Sequence, residues 1–187
     1  MSVFYDWKYI DEEHVAQLER CFDEGQLKGL LFQFFCVDAY DAKKQKIAVD
    51  FYFYNYAFCK KNAFDARRIS TFMSIMHEIF IEDIASDSLT NNAETSFQRF
   101  QALILKHSIE RSPKSVQIFL PADVEPLVEF ALNSYFRHYS MYSYIFRRQT
   151  MVTIQQYAPS GVHYPKVGLP LASGEQVLND SSAAEHE

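Results

Sequence analysis

Phe51-Tyr52-Phe53-Tyr54-Asn55-Tyr56-Ala57-Phe58-Cys59 places aromatic rings at nearly every position, and its reading decides the fold. Phe and Tyr suit pleated surfaces, so the run could be a strand. Length arbitrates. The flanks Ala42-Lys43-Lys44-Gln45-Lys46 and Ala57 to Ala66 are helix formers without a turn signal, which favours one long helix from about Ala39 to Asn62. No rotation of that helix leaves a clean polar face. It must be covered on most sides, at the centre of a fold or against a partner. The run therefore predicts the central helix of an all-α domain.

Working outward, Asp11 is a good N-cap for a helix from Glu12 to Glu24, with Val15, Leu18 and Phe22 as its apolar stripe and Gly25 as its stop. Gln26 to Val37 predicts a second short helix. After the central helix, Asp65 can cap a segment in which Ile69, Phe72, Met73, Met76, Ile79, Phe80 and Ile84 repeat at the spacing of a buried face. Ser86 to Asn92 reads as a polar loop. Asn91 or Asn92 then caps a helix through Phe97, Phe100, Ile104 and His107, ended by Arg111-Ser112-Pro113. Val116 to Leu120 reads as an extended connector. A last long helix starts at Pro121 or Asp123 and runs to about Tyr139, with Phe146 as its furthest reach; Pro126 sits in its first turn or kinks it. Met151 to Tyr157 reads as a short extended segment.

The expectation is a single compact bundle of about six helices over residues 1–157, with an irregular tail over 158–187. Alone, that tail should be disordered; its Val162, Tyr164, Val167, Leu169 and Leu171 could instead lie along a partner's groove. The 187 residues suit one domain burying roughly 70% of its unfolded surface. A net charge of −6 argues against nucleic acid, an anionic membrane or an acidic polymer surface as a partner. Cys21, Cys36 and Cys59 have no metal or redox spacing and read as reduced, buried thiols of an intracellular protein. Met1 to Asp11 has no signal-peptide pattern, and no apolar run is long enough for a membrane span.

Reactive constellations are missing from the sequence pattern. His77, His107 and His138 lack companions at metal spacing, so each reads as a satisfied structural histidine. There is no nucleophile elbow, no Gly-rich phosphate loop and no EF-hand loop, and we expect neither an enzyme nor a cofactor. Arg67-Arg68-Ile69-Ser70 resembles a basophilic kinase site at Ser70; the plainer reading has solvated arginines and an inward Ser70. Tyr135, Phe136, Arg137 and Tyr139, with Tyr142, Tyr144, Arg147 and Arg148, form a basic–aromatic cluster of the composition that interface hot spots use. Ordinary core with exposed arginines is the competing reading. A calmodulin-target reading of the same segment has few basic residues behind it.

Four segments together resemble the ciliary CLAMP family. They are the aromatic run 51–59 with Phe64; Ser70-Thr71-Phe72-Met73-Ser74-Ile75-Met76; Phe100 to Ser108 with Arg111, Pro113 and Ser115 to Phe119; and Asn133-Ser134-Tyr135-Phe136-Arg137-His138-Tyr139 followed by Tyr142, Tyr144 and Phe146. Their order and spacing match over about residues 45–157. The resemblance implies a non-enzymatic subunit of projection 1a on the central-pair apparatus of motile flagella. It further implies binding to a large scaffold protein, beside other small subunits and calmodulin. Animal members often carry coiled-coil extensions, and no heptad run long enough for one occurs here. We expect Tyr135, Phe136, Arg137, Tyr139, Tyr142, Tyr144, Arg147 and Arg148, with Tyr164 and Leu169 of the tail, to contribute to the scaffold contact.

Overall fold

A computed structural model of the chain describes residues 4–85, 92–111, 114–147 and 153–155, together with Gly168, Pro170 and Gly174. The described helices are α1 (Glu12–Arg20), α2 (Glu24–Phe34), α3 (Ala42–Lys61), α4 (Ala66–Ala85), α5 (Ala93–Lys106), α6 (Pro121–Asn133) and α7 (Tyr139–Phe146), with 3-10 turns at Val37–Ala39 and Phe136–His138. No strand occurs among the described residues, and the fold is all-α as the sequence predicts. These helices belong to the unit Met1–Gln149. Of Thr150–Glu187, Thr153–Gln155 and three isolated positions are described, without regular structure. The expected polar loop lies outside the described residues but for Asn92. So do Arg148, Tyr164, Leu169 and most of the expected extended segment 151–157.

The aromatic run is a helix, and most of it is covered. Ala48, Phe51, Tyr52, Asn55, Tyr56 and Cys59 of α3 are buried. Of the three thiols expected to be buried only Cys59 is; Cys21 is half-buried where α1 ends, and Cys36 is exposed at the left-handed turn after α2. Its end is fixed locally: Phe64 N–H donates to the Cys59 carbonyl and Ala63 N–H to that of Lys60, both at 3.1 Å. Ala63 takes the left-handed conformation (φ 52°) usually given to glycine at such an end. On α4, Ile69, Phe72, Met73, Met76, Ile79 and Phe80 are fully buried, each contributing roughly 1.5–3 kcal/mol over remaining in water. Ile84 is only partly covered. Asp65 caps this helix through Arg68 N–H (2.9 Å), and Asn92 forms a reciprocal capping box with Thr95 on α5.

Several boundaries differ from the expectation: α2 ends at Phe34 and not Val37, because Cys36 turns left-handed (φ 49°), and a 3-10 turn at Val37–Ala39 delays the start of α3 to Ala42. α1 ends at Arg20 because Cys21 turns extended and Asp23 already caps α2, accepting from Gln26 N–H at 3.0 Å. Gly25 is consequently inside α2, and Phe22, expected on the α1 stripe, is fully exposed between the helices. The last helix is also two helices. Pro121 opens α6 as predicted, and Pro126 sits inside α6 without ending it. The break comes at Ser134, whose backbone leaves helical geometry (ψ −77°) and whose hydroxyl donates back to the Phe130 carbonyl at 2.6 Å. His138 Nδ1 then donates to the Ser134 carbonyl at 2.7 Å, holding the 3-10 turn that starts α7.

The N-terminal aromatics dock on the bundle. Tyr5 and Ile10 are buried, Tyr5 N–H donates to His107 Nε2 (3.2 Å), and Trp7 N–H donates to Ser70 Oγ (3.1 Å). Val116 to Leu120 is an extended connector, pinned where Ile118 and Phe119 N–H both donate to the His107 carbonyl.

Candidate protein-docking face

One buried carboxylate shapes the C-terminal end of the described helices. Asp83 near the end of α4 accepts from Ser96 Oγ (2.6 Å) and Tyr135 Oη (2.7 Å) through one oxygen, and from Arg99 Nη2 (2.7 Å) through the other. Its backbone carbonyl accepts from Arg147 Nε (2.8 Å), and Arg147 Nη2 donates to Tyr139 Oη (2.7 Å). Arg99 also pairs with Glu82. A carboxylate out of water needs such partners, and here they draw α5, the 3-10 turn and the end of α7 onto α4. Burial and the Asp83 charge push the Tyr135 phenol far above its ordinary value, so it stays a donor.

This network divides the expected interface residues. Tyr135 and Tyr139 are buried, with Tyr135 packed against Phe51 and Phe80; for these two the ordinary-core reading describes the placement. Phe136 is half-buried and packs edge-on against Phe97 and Phe100. Arg147 is occupied as above. Arg137 and Tyr144 are exposed, Tyr144 at 72%. Tyr142 is half-buried between the two groups.

Between α3 and the α6–α7 corner lies an apolar groove of about 450 Å³. Ile47, Phe51, Tyr54 and Asn55 form one wall, a stripe along a single face of α3. Phe130, Ser134, Tyr135, His138, Met141, Tyr142 and Ile145 form the other. None of these residues carries a formal charge apart from what His138 can acquire. Phe51, Asn55 and Tyr135 are buried and make the floor, while Tyr54 (63% exposed) and Met141 (59%) stand at the rim. Of these, only Tyr135 and Tyr142 were among the interface residues expected from the sequence, although Phe51, Tyr54, Asn55, Ser134 and His138 lie in segments it singles out. The remaining signal was Asn55, the lone carboxamide within the aromatic run 51–59.

The floor holds an unmet polar group. Asn55 is 1% exposed, and its Nδ2 has no hydrogen-bond partner among the described residues. Such a donor ordinarily costs about 1–3 kcal/mol. Two other buried atoms share this state but differ in setting: Arg68 keeps ion contacts with Asp65 and Asp123, and Ser74 is enclosed within the bundle.

Elsewhere the histidines are structural. His77 Nδ1 bonds Tyr52 Oη at 2.8 Å, and burial holds its imidazole down to about 4. His107 donates from Nδ1 to the Leu103 carbonyl (2.8 Å) while Nε2 accepts from Tyr5, and burial lowers it too. Ser70 is fully buried, donating to the Ile10 carbonyl while accepting from Trp7, so a kinase would meet its hydroxyl only after local opening. No group of three or more His, Cys, Asp or Glu that could hold a metal occurs among the described residues, and no described helix is long and apolar enough to cross a membrane.

Among the described residues, fold and groove together define a class: a helical domain whose buried polar groups mostly tie its helices together, with an apolar groove along α3. A family model described as CLAMP, flagellar C1a complex subunit C1a-32, matches residues 54–154. That is more than half of the chain, which therefore belongs to the CLAMP family of flagellar C1a complex subunits. The match contains Tyr54, Asn55 and the whole α6–α7 wall. Family membership supports a cilium or flagellum setting.

Proposed function

We propose that the chain is a non-enzymatic structural and assembly subunit of projection 1a on the central-pair apparatus, docking on a large scaffold protein and supporting motility. The observation that carries this reading is the family match over the stretch that also supplies most of the open groove. In this role Tyr54, Met141, Tyr144 and Arg137 meet the scaffold directly. Tyr135, Phe136, Tyr139 and Arg147 hold the corner that presents them, and Tyr142 does both. Arg148 and the tail residues Tyr164 and Leu169 extend the contact. Direct calmodulin binding by 133–150 would call for one exposed basic helix, whereas this segment contains a 3-10 turn and an engaged Arg147.

The test is to tag the full chain in motile ciliated cells, extract axonemes with salt and identify what co-purifies. The expected companions are one very large protein and several small subunits. Recovery in the soluble matrix with no large companion would contradict the proposal. Removing residues 158–187 measures the tail's share: unchanged co-purification discards it.

A further inference from the structure

The N-terminal segment 4–8 lies against α4 and the end of α5, and one of its anchors is an imidazole lone pair. His107 is fully buried and donates from Nδ1 to the Leu103 carbonyl (2.8 Å), which leaves Nε2 as the acceptor for Tyr5 N–H (3.2 Å). We propose that residues 4–8 form an acid-released strap: a proton on His107 Nε2 frees the segment while the helices beneath it stay folded.

Three observations single out this segment. A protonated Nε2 sets its own hydrogen against the Tyr5 N–H, so donor meets donor. The Phe4 and Tyr5 rings stand steeply against the imidazole (84° and 74°, centroids 6.3 and 5.8 Å away), so moving them lets the cation reach water. His77, the other buried imidazole, is enclosed by Phe35 of α2 and Tyr52 of α3 as well as by Tyr9, so hydrating it opens the bundle itself. Secondly, Trp7 is held in the left-handed region (φ 55°), which side-chain-bearing residues disfavour, and release relaxes it. Thirdly, the other ties do not depend on an imidazole: Trp7 N–H to Ser70 Oγ, Asp6 to Arg67 (3.0 Å) and Lys8 to Glu78 (2.7 Å). Carboxylates titrate below imidazoles, and the Lys8 and Tyr9 bonds hold Glu78 lower still against the upward pull of burial. Asp6 and Tyr5 of the segment and Lys106 of α5 face His107; Lys8, Glu78 and Glu82 act on Tyr5, and the connector Val116–Leu120 has no ionisable side chain. Burial holds the imidazole below its ordinary 6.5; the Leu103 bond and Asp6 favour the cation, and Lys106 opposes it. The strapped form thus binds fewer protons than the open one, and it loses ground as pH falls below 6.5.

Trp7 is the one tryptophan of the chain, so the strap carries its own reporter. The experiment lowers the pH of the full chain from neutral and follows the Trp7 emission wavelength beside the far-ultraviolet helix signal. Emission should shift to that of a solvated indole at a higher pH than helix loss, with a midpoint matching the His107 ring titration read by NMR. His107→Gln, which sets a non-titrating oxygen near the place of Nε2, should move the Trp7 midpoint down until it merges with helix loss. His77→Phe should shift helix loss and leave the Trp7 midpoint in place. Should the Gln side chain fail to seat the segment at neutral pH, the wild-type ring titration decides. Coincident Trp7 and helix transitions in wild type, a His107 ring still neutral when Trp7 is released, or a Trp7 midpoint that follows His77→Phe overturns the proposal.

Discussion

Tyr52 and Asn55 lie one turn apart on α3, both essentially out of water, and their surroundings treat them oppositely. Tyr52 stacks on Phe35 with ring centroids 4.0 Å apart and gives its hydroxyl a partner in His77 at 2.8 Å. Asn55 reaches the floor of the groove and finds no partner for Nδ2. The first side is a finished interior; the second borders an open apolar groove. The closed flank of the helix makes the domain, and the open flank is where the proposed contact would form.

The largest expected effect probes the anchor that builds the open side's far wall. Asp83→Ala leaves the buried Tyr135 and Ser96 hydroxyls without their acceptor and should cost about 2–5 kcal/mol in urea unfolding, at about 1–3 kcal/mol for each buried polar group left unmet. A loss below about 1 kcal/mol would mean the corner is held by packing alone.

Acid should attack the closed side next. His77 is uncharged in the fold, its value lowered to about 4, and protonates near 6.5 when unfolded. The unfolded chain therefore binds more protons between those limits, so stability is full above about 6.5 and falls as pH drops toward about 4. His77 alone accounts for roughly 2–3 kcal/mol of that fall. His107 acts in the same direction, and Glu78, lowered by its Lys8 and Tyr9 bonds despite burial, adds to the loss in more acid solution. Thermal melts across this window check the slope, and His77→Phe should flatten it.

The smallest effect is the sharpest contrast. Tyr52→Phe leaves His77 Nδ1 unmet and should cost about 1–2 kcal/mol, whereas Asn55→Leu removes a donor already unmet and should be neutral or stabilising by up to about 1 kcal/mol. Equal destabilisation by both in chemical denaturation would erase the difference between the two flanks.

What the sequence revealed follows the range of the forces involved. The α3 aromatic run, the α4 stripe, the Asn92 cap and Pro121 at the start of α6 are local signals, and each is found where it was read. The break at Ser134 was not legible: no Gly or Pro marks it, and the carboxylate that turns Tyr135 inward comes from Asp83 on another helix. Gly25 misled for the complementary reason, since Asp23 capped α2 before the glycine could act as a stop. The basic–aromatic cluster groups side chains that the fold separates, Tyr135 and Tyr139 inward and Arg137 and Tyr144 outward. Tyr135 and Tyr139 have the same composition as a hot spot and a different orientation, which only the packed structure supplies.

The most direct test of the central claim puts a photo-crosslinking phenylalanine analogue at Met141 on the groove rim, or at the fully exposed Phe22 between α1 and α2, within assembled axonemes. The account predicts a crosslink to a large scaffold protein from position 141 and none from position 22. A scaffold crosslink from position 22 with none from 141 would contradict it.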